Sequence, residues 1–263
     1  MQIGDILLGY INSETVLDWL KKEPFTLTLG SGFFGFFAHL GVLKALLESG
    51  VAPARLTGAS SGALVASCYA TGMSLSEIEN LLFSLTREDF WDPGFGLGLL
   101  KGEKFRVRMR AAIPAARFEE LATPLALSVF NTSSKTTEVW EHGDLIDAVY
   151  ASCALPLLFQ PLQRHGVRYA DGGIKDRAAL AGVGPHERVL IHHLSARSPW
   201  RRASDPALRP PERMNGTTLV IDGLTRVGPC KLPMGPKAFS EAYEATKSLL
   251  RQTKISVMHT SLS

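Results

Sequence analysis

The stretch FTLTLGSGFFGFFAHLGVLKALLESG, residues 25–50, joins a strand pattern, a glycine-rich turn and a helix pattern without interruption. Its first residues alternate and include β-branched threonines, which is typical of a strand. Apolar residues then recur at helical spacing from Leu40 to Leu47, and Gly50 provides a C-terminal stop. We therefore predict a strand-turn-helix unit.

The same succession returns in ARLTGASSGALVASCYATG, residues 54–72. A short strand precedes a turn at Ser60, and a helix of small residues ends at Gly72. Two consecutive units of this kind are typical of a parallel sheet covered by helices. We predict a three-layer α/β/α fold around a mainly parallel central sheet.

The rest of the chain extends this pattern. Further strands are predicted for PLALSVF, KTTEVWE and RVLIHHL, and a helix for DLIDAVYASCA. We expect residues 1–263 to form a single domain whose core covers about 25–195. Residues 196–218, rich in Arg, Pro and Ser, are predicted to be a surface loop, and 236–253 a C-terminal amphipathic helix.

Composition excludes several classes of protein. With 45% hydrophobic and 20% charged residues, the chain is typical of globular rather than disordered proteins. Its net charge of +3 is too small and too dispersed to indicate nucleic-acid binding, although it is compatible with an anionic lipid surface. Three cysteines without CxxC spacing indicate neither a disulfide framework nor a zinc site.

Location and membrane contact can also be predicted. The chain begins without the pattern of a secretory signal, and no stretch approaches 18 consecutive apolar residues. We expect a cytoplasmic protein without a signal peptide or transmembrane segment. Residues 90–100, FWDPGFGLGLL, combine Pro, three glycines and large apolar side chains. We predict a mobile apolar loop here, suited to peripheral membrane contact.

Ser60 is a candidate nucleophile. It lies in a GxSxG pattern, Gly58 to Gly62, between a predicted strand and a predicted helix. That context is typical of a nucleophile elbow, in which the glycines allow a sharp turn that exposes the serine oxygen. The alternative is an ordinary helix start made of small residues.

A second glycine pattern, GxGxxG, covers Gly30, Ser31, Gly32, Phe33, Phe34 and Gly35. It fits a dinucleotide-binding turn, but that fingerprint needs an acid at the end of the second strand, whereas Glu48 lies inside the helix pattern. The same turn could instead direct backbone N–H groups at a carbonyl oxygen beside Ser60, as an oxyanion hole.

A serine nucleophile needs a base. Among the seven histidines, His39, His192 and His193 lie inside predicted elements and are interpreted as structural, so a Ser-His-Asp triad is poorly supported. Asp171 ends a strand in RYADGG, followed by Gly172 and Gly173; by itself this is an ordinary Asp-Gly turn.

Taken together, LTLGSGFFGFFAHLGVLKALLESG, TGASSGALVA, SCALPLLFQPL and RYADGG resemble the patatin-like phospholipase family in order and spacing, over about residues 25–195. The resemblance implies a patatin-like α/β fold, an oxyanion hole at Gly30 to Gly35, a nucleophile at Ser60 and a base at Asp171. It implies that histidine, metal and cofactor are not needed.

The resemblance also implies a function, a lipid acyl hydrolase of phospholipase A or lysophospholipase type. Two departures bear on the substrate, because family members commonly carry Gly at the position of Ser31 and Arg or Lys at that of Phe34. Recognition of an anionic head group is therefore in question. The alternatives are a carboxylesterase acting on soluble or neutral-lipid esters, and a non-catalytic lipid-binding protein of the same fold.

Overall fold

The structure, a computed structural model, describes residues 14–195 and 204–262. Its helices are α1 (Val16–Lys22), α2 (Phe36–Glu48), α3 (Ser61–Ala70), α4 (Leu75–Phe83), α5 (Glu103–Ala112), α6 (Leu145–Cys153) and α7 (Gly235–Leu250). Its strands are β1 (Thr26–Leu29), β2 (Arg55–Gly58), β3 (Gly98–Leu100), β4 (Leu125–Asn131), β5 (Thr136–Trp140), β6 (Leu157–Phe159), β7 (Leu162–Arg164), β8 (Val167–Asp171), β9 (Val189–His193), β10 (Gly216–Asp222) and β11 (Val257–Ser261).

Nine of these strands form the main sheet of the described residues. Their order is β11-β10-β9-β1-β2-β4-β8-β7, and β5 also pairs with β4. All neighbouring pairs from β11 to β4 are parallel, whereas β4 pairs antiparallel with β5 and β8, and β8 with β7. This confirms the predicted α/β fold with a mainly parallel central sheet flanked by helices.

Strand β1 lies in the core, and its two threonines are buried together with its two leucines. All residues of β1 are buried, as expected for a parallel strand covered on both faces. Helix α2 is buried along most of its length and packs against α7. The two helices approach closely, because a Cβ on Gly41 would lie 2.4 Å from the Phe239 carbonyl oxygen. A glycine is therefore required at this contact.

Register places the functional turns at one edge of the sheet. Leu29, the last residue of β1, lies opposite Gly58 of β2 and His192 of β9. The three strands are parallel, so the chain leaves them at the same level and on the same edge. This is where ligands bind in open α/β sheets.

Two loop predictions need correction. Within 90–100, Gly98–Leu100 forms β3, which pairs in parallel with β6, so this part of the predicted loop is a strand. Its partner lies far downstream in the sequence, and local pattern could not reveal it. Within 196–218, β10 begins at Gly216, because GTTLVID inserts between β9 and β11. Residues 196–203 lie outside the described residues.

Candidate active site

Ser60 lies at a sharp turn between β2 and α3. Its backbone has φ +54° and ψ −121°, a conformation that residues other than glycine rarely adopt. Such strain costs about 1–3 kcal/mol and is concentrated at functional sites. The Ser60 N–H donates to Ser152 Oγ at 2.9 Å, and the Ser152 hydroxyl donates to the Ser128 carbonyl at 2.8 Å. The strained turn is therefore fixed from α6 and β4.

The two glycines of the GxSxG pattern are required by close packing. A Cβ on Gly62 would lie 1.9 Å from the Leu29 carbonyl oxygen, and one on Gly58 would lie 2.6 Å from the Ala63 Cα. Helix α3 thus starts directly against the end of β1, which a larger residue would prevent. This close approach is the physical reason for the spacing seen in the sequence.

Asp171 accepts a hydrogen bond from Ser60. The Ser60 hydroxyl donates to Asp171 Oδ2 at 2.6 Å, and the other carboxylate oxygen accepts from the Gly173 N–H at 2.8 Å. The carboxylate is almost completely buried, with 2% of Asp171 exposed. Gly172 is needed beside it, because a Cβ there would lie 2.0 Å from the Ser128 carbonyl oxygen.

Topology explains how residues so distant in sequence meet. Strand β2 ends at Gly58, opposite Leu127 of β4. Strand β8 runs the other way and ends at Asp171, opposite Val129 of the same β4. The two strands thus approach each other end to end along β4. The serine that follows one therefore meets the aspartate that ends the other.

The glycine turn of residues 30–35 lies beside this pair. The N–H of Gly30 donates to the His192 carbonyl at 3.3 Å, that of Ser31 to the Arg177 carbonyl at 2.6 Å, and that of Gly35 to the Gly32 carbonyl at 3.0 Å. These three N–H groups maintain the shape of the turn. The Gly32 N–H, by contrast, has no acceptor among the described residues. It is the leading candidate donor to a bound oxygen.

A cavity of about 730 Å³ opens over these groups. Ser60, Asp171, Gly32 and Gly173 lie on its wall. The remaining wall is mostly apolar and includes Phe33, Phe34, Phe36, Leu64, Phe90, Phe105, Tyr150, Leu155, Pro156, Leu157, Leu158, Phe159 and Ile174. Among the described residues, its only charged side chains are those of Asp171 and Asp205, both acidic. Phe36 and Phe37, at the start of α2, are buried.

Exposed apolar side chains lie next to the cavity. We call Trp91, Phe95, Leu97, Leu99 and Leu157 the apolar rim. Leu157 lines the cavity and is 84% exposed, and it pairs with Gly98 of β3 in the segment that carries the other four. Phe95 is fully exposed. Cys153 also lines the cavity, and burial, with the nearby Asp171 charge, raises the pKa of its thiol well above the usual value.

No histidine of residues 14–195 and 204–262 lines the cavity. His39 and His192 are instead buried and bonded to each other. In the same ranges there is no cluster of three or more His, Cys, Asp or Glu residues able to hold a metal ion. Sequence analysis missed Ser152, because a serine in an apolar helix gives no local sign that it binds the Ser60 N–H.

No helix among the described residues is both long enough and apolar enough to cross a bilayer.

The chain is thus a mainly parallel α/β protein in which a strained serine, a buried aspartate and a glycine turn lie at one edge of the sheet. More specifically, the chain belongs to the patatin-like phospholipase family, whose model matches residues 27–181.

The chain is also similar to several individual proteins. An uncharacterized NTE family protein of Mycobacterium tuberculosis is 33% identical over 172 residues, which is 63% of this chain and 48% of that protein. The human 1-acylglycerol-3-phosphate O-acyltransferase PNPLA3 is 30% identical over 165 residues, 56% of this chain and 33% of that protein. The chain thus spans about half the length of the mycobacterial relative and a third of the human one. VipD from Legionella pneumophila has the same fold, with a TM-score of 0.65 and 17% identity, over 87% of this chain and 67% of that chain.

Proposed function

We propose that this protein is a lipid acyl hydrolase that cleaves carboxylic esters through a Ser60–Asp171 dyad. One observation carries the proposal: the Ser60 hydroxyl donates to Asp171 Oδ2 at 2.6 Å on the wall of a large apolar cavity. A nucleophile and a base within about 2.6–3.2 Å of each other meet the geometric requirement for proton transfer. Family membership supports the same chemistry.

The reaction follows from the positions of these groups. Asp171 Oδ2 takes the hydroxyl proton as Ser60 Oγ bonds to the ester carbonyl carbon, and the Gly32 and Phe33 N–H groups stabilise the resulting oxyanion. The proton then passes from Asp171 to the alkoxide oxygen as the carbon-oxygen bond breaks, which leaves an acyl-serine. Water then attacks the acyl-serine and gives one proton to Asp171, which passes it to Ser60 Oγ as the bond from that oxygen to the acyl carbon breaks and the acid leaves. One such oxyanion donor is worth about 3–4 kcal/mol of transition-state stabilisation.

The wall of the cavity favours an uncharged ester with a long acyl chain. Its aromatic and aliphatic side chains suit an acyl chain, and no lysine or arginine of the described residues lines it. Hydrolysis of neutral-lipid or soluble esters is therefore our second candidate function. The absence of a lysine or arginine among the described residues of the wall favours these esters over phospholipids as substrates.

The apolar rim supports peripheral contact with a lipid surface. Five large apolar side chains lie exposed beside the cavity, and water-exposed groups of this kind mark interaction sites. Insertion of the rim would bring the cavity against the lipid, so that a substrate could enter without crossing water.

Ester hydrolysis by three proteins tests the proposal. We expect the wild type to hydrolyse p-nitrophenyl esters, the Ser60→Ala variant to show no turnover above background, and the Asp171→Asn variant to lose about 10²–10⁴-fold in kcat. Circular dichroism would establish that both variants fold. Parallel assays on diacylglycerol emulsions and phosphatidylglycerol vesicles separate neutral from anionic substrates. A folded wild type without activity on any ester would leave the non-catalytic lipid-binding alternative.

A further inference from the structure

Two buried histidines lie next to the glycine turn, and neither of them lines the cavity. His39 belongs to α2 and His192 to β9, and both are fully buried. His39 Nε2 lies 2.8 Å from the Gly30 carbonyl oxygen, and His39 Nδ1 lies 2.8 Å from His192 Nδ1. The His192 ring, the His39 ring and the Gly30 carbonyl therefore form a hydrogen-bonded chain, which links β9 through α2 to the first residue of the turn.

The protons of this chain are fixed by elementary bonding rules. A carbonyl oxygen only accepts, so His39 Nε2 must carry the hydrogen. In a neutral ring the other nitrogen, Nδ1, then accepts, so His192 must donate from its own Nδ1. Burial lowers the pKa of His39 to about 4 and that of His192 well below its usual value, so both rings are neutral at pH 7. The pair is thus a directed hydrogen-bond chain without charge.

The bond from His39 acts on one particular peptide group. The Gly30 carbonyl and the Ser31 N–H belong to the same peptide plane, and the Ser31 N–H donates to the Arg177 carbonyl at 2.6 Å. Both ends of this plane are therefore bonded, in opposite directions. A glycine peptide flips easily because no side chain opposes the rotation. A flip would exchange the two ends and break both of the bonds that hold the first peptide of the turn, and the next peptide carries the Gly32 N–H.

We propose that His39 is a positioning residue for the oxyanion turn: it binds the Gly30 carbonyl so that the Gly32 N–H faces the substrate oxygen, and His192 fixes its ring. The inference rests on the proposed function of Ser60. It extends that function to two histidines that have no direct part in the proton transfer. His193 provides a contrast, because it is buried one residue further along β9 but its Nε2 pairs with the Leu208 carbonyl at 3.1 Å.

Three variants test the kinetic consequence. His39→Leu removes both ring nitrogens, His39→Gln keeps an N–H donor near the position of Nε2, and His193→Leu removes a buried imidazole that does not touch the turn. On p-nitrophenyl butyrate we expect His39→Leu to lose about 10- to 100-fold in kcat with KM within about twofold of wild type, because a misdirected donor acts on the transition state. His39→Gln should regain most of this loss, and His193→Leu should keep kcat within about twofold of wild type. Equal losses in His39→Leu and His193→Leu, or an unchanged kcat in folded His39→Leu, would overturn the inference.

Two measurements separate this inference from the proposed function. Amide hydrogen exchange reports the turn directly: the Ser31 amide should exchange at least about 10-fold faster in His39→Leu than in wild type, and not in His193→Leu. If wild type hydrolyses no ester, the proposed function fails, and the exchange rates still decide whether His39 holds the turn. If His39→Leu does not fold, ¹⁵N spectra of the wild-type histidines decide. We expect the proton of His39 on Nε2 and that of His192 on Nδ1; the reverse assignment refutes the inference.

Discussion

Replacing Gly62 by alanine should disable the active site through a backbone displacement that can be read from the structure. The new Cβ would lie 1.9 Å from the Leu29 carbonyl oxygen and 2.8 Å from the Gly30 carbonyl oxygen. Ordinary contact begins near 3.4 Å, so α3 and the end of β1 must separate by roughly 1.5 Å. Both contacts are with backbone atoms, which no rotamer change can relieve. The displacement acts directly between Ser60 and the glycine turn.

The displacement should lower both the free energy of unfolding and kcat/KM. Overpacking of this kind costs about 1–3 kcal/mol, and the higher helix propensity of alanine returns about 1 kcal/mol, so the free energy of unfolding should fall by up to about 2 kcal/mol. A misplacement near 1 Å in a reacting geometry costs about 100-fold in rate. We therefore expect Gly62→Ala to fold but to lose at least about 100-fold in kcat/KM.

Urea unfolding and hydrolysis of a p-nitrophenyl ester measure the two effects. Gly184→Ala is the matched control, because a Cβ there meets nothing closer than Glu187 Oε2 at 3.6 Å, an ordinary contact. We expect this control to keep wild-type activity. If Gly62→Ala kept both its activity and its stability, the close approach of α3 to β1 would be wrong, and with it the explanation of the GxSxG spacing.

Three further predictions concern the rim, the cavity thiol and the buried histidines. Phe95→Asp should lower activity on lipid emulsions at least about 10-fold and leave hydrolysis of a soluble ester unchanged, whereas Met214→Asp, at an equally exposed position outside the rim, should change neither. Since desolvation and the Asp171 charge raise the pKa of the Cys153 thiol, iodoacetamide at pH 8 should alkylate the exposed Cys230 first; mass spectrometry showing the opposite order would contradict the raised pKa of Cys153. Burial lowers the pKa of His39 from 6.5 to about 4, so the unfolded chain takes up the proton first as the pH falls. The free energy of unfolding should therefore decrease between pH 6.5 and 4, by up to about 3 kcal/mol from this group, and urea titrations of His39→Gln should show a shallower decrease.

The sequence was most informative where local pattern and close packing coincide. Both strand-turn-helix units were predictable because glycines end the strands and begin the turns, and the close contacts of Gly58 and Gly62 explain why these positions carry glycine. The capping box at Ser74 and Glu77, which marks the start of α4, is a further local signal present in the structure.

Contacts between distant segments were not predictable. Strand β3 lies in a segment whose glycines and proline favour a loop, and only pairing with β6 makes it a strand. His39 and His192 lie inside predicted elements, but 153 positions separate them, and their link to Gly30 exists only in the folded sheet. The register of β4, which brings Ser60 and Asp171 together, is likewise a property of the sheet rather than of any local motif.

The proposed hydrolysis requires above all that Ser60 is a nucleophile activated by Asp171. Treatment with a fluorophosphonate followed by peptide mass spectrometry tests this directly, because the reagent reacts covalently with activated serines. We expect a single adduct on the peptide that contains Ser60, a much slower reaction in Asp171→Asn, and none in Ser60→Ala. An adduct on another residue, equal labelling of Ser60→Ala, or no labelling of the folded wild type would contradict the account.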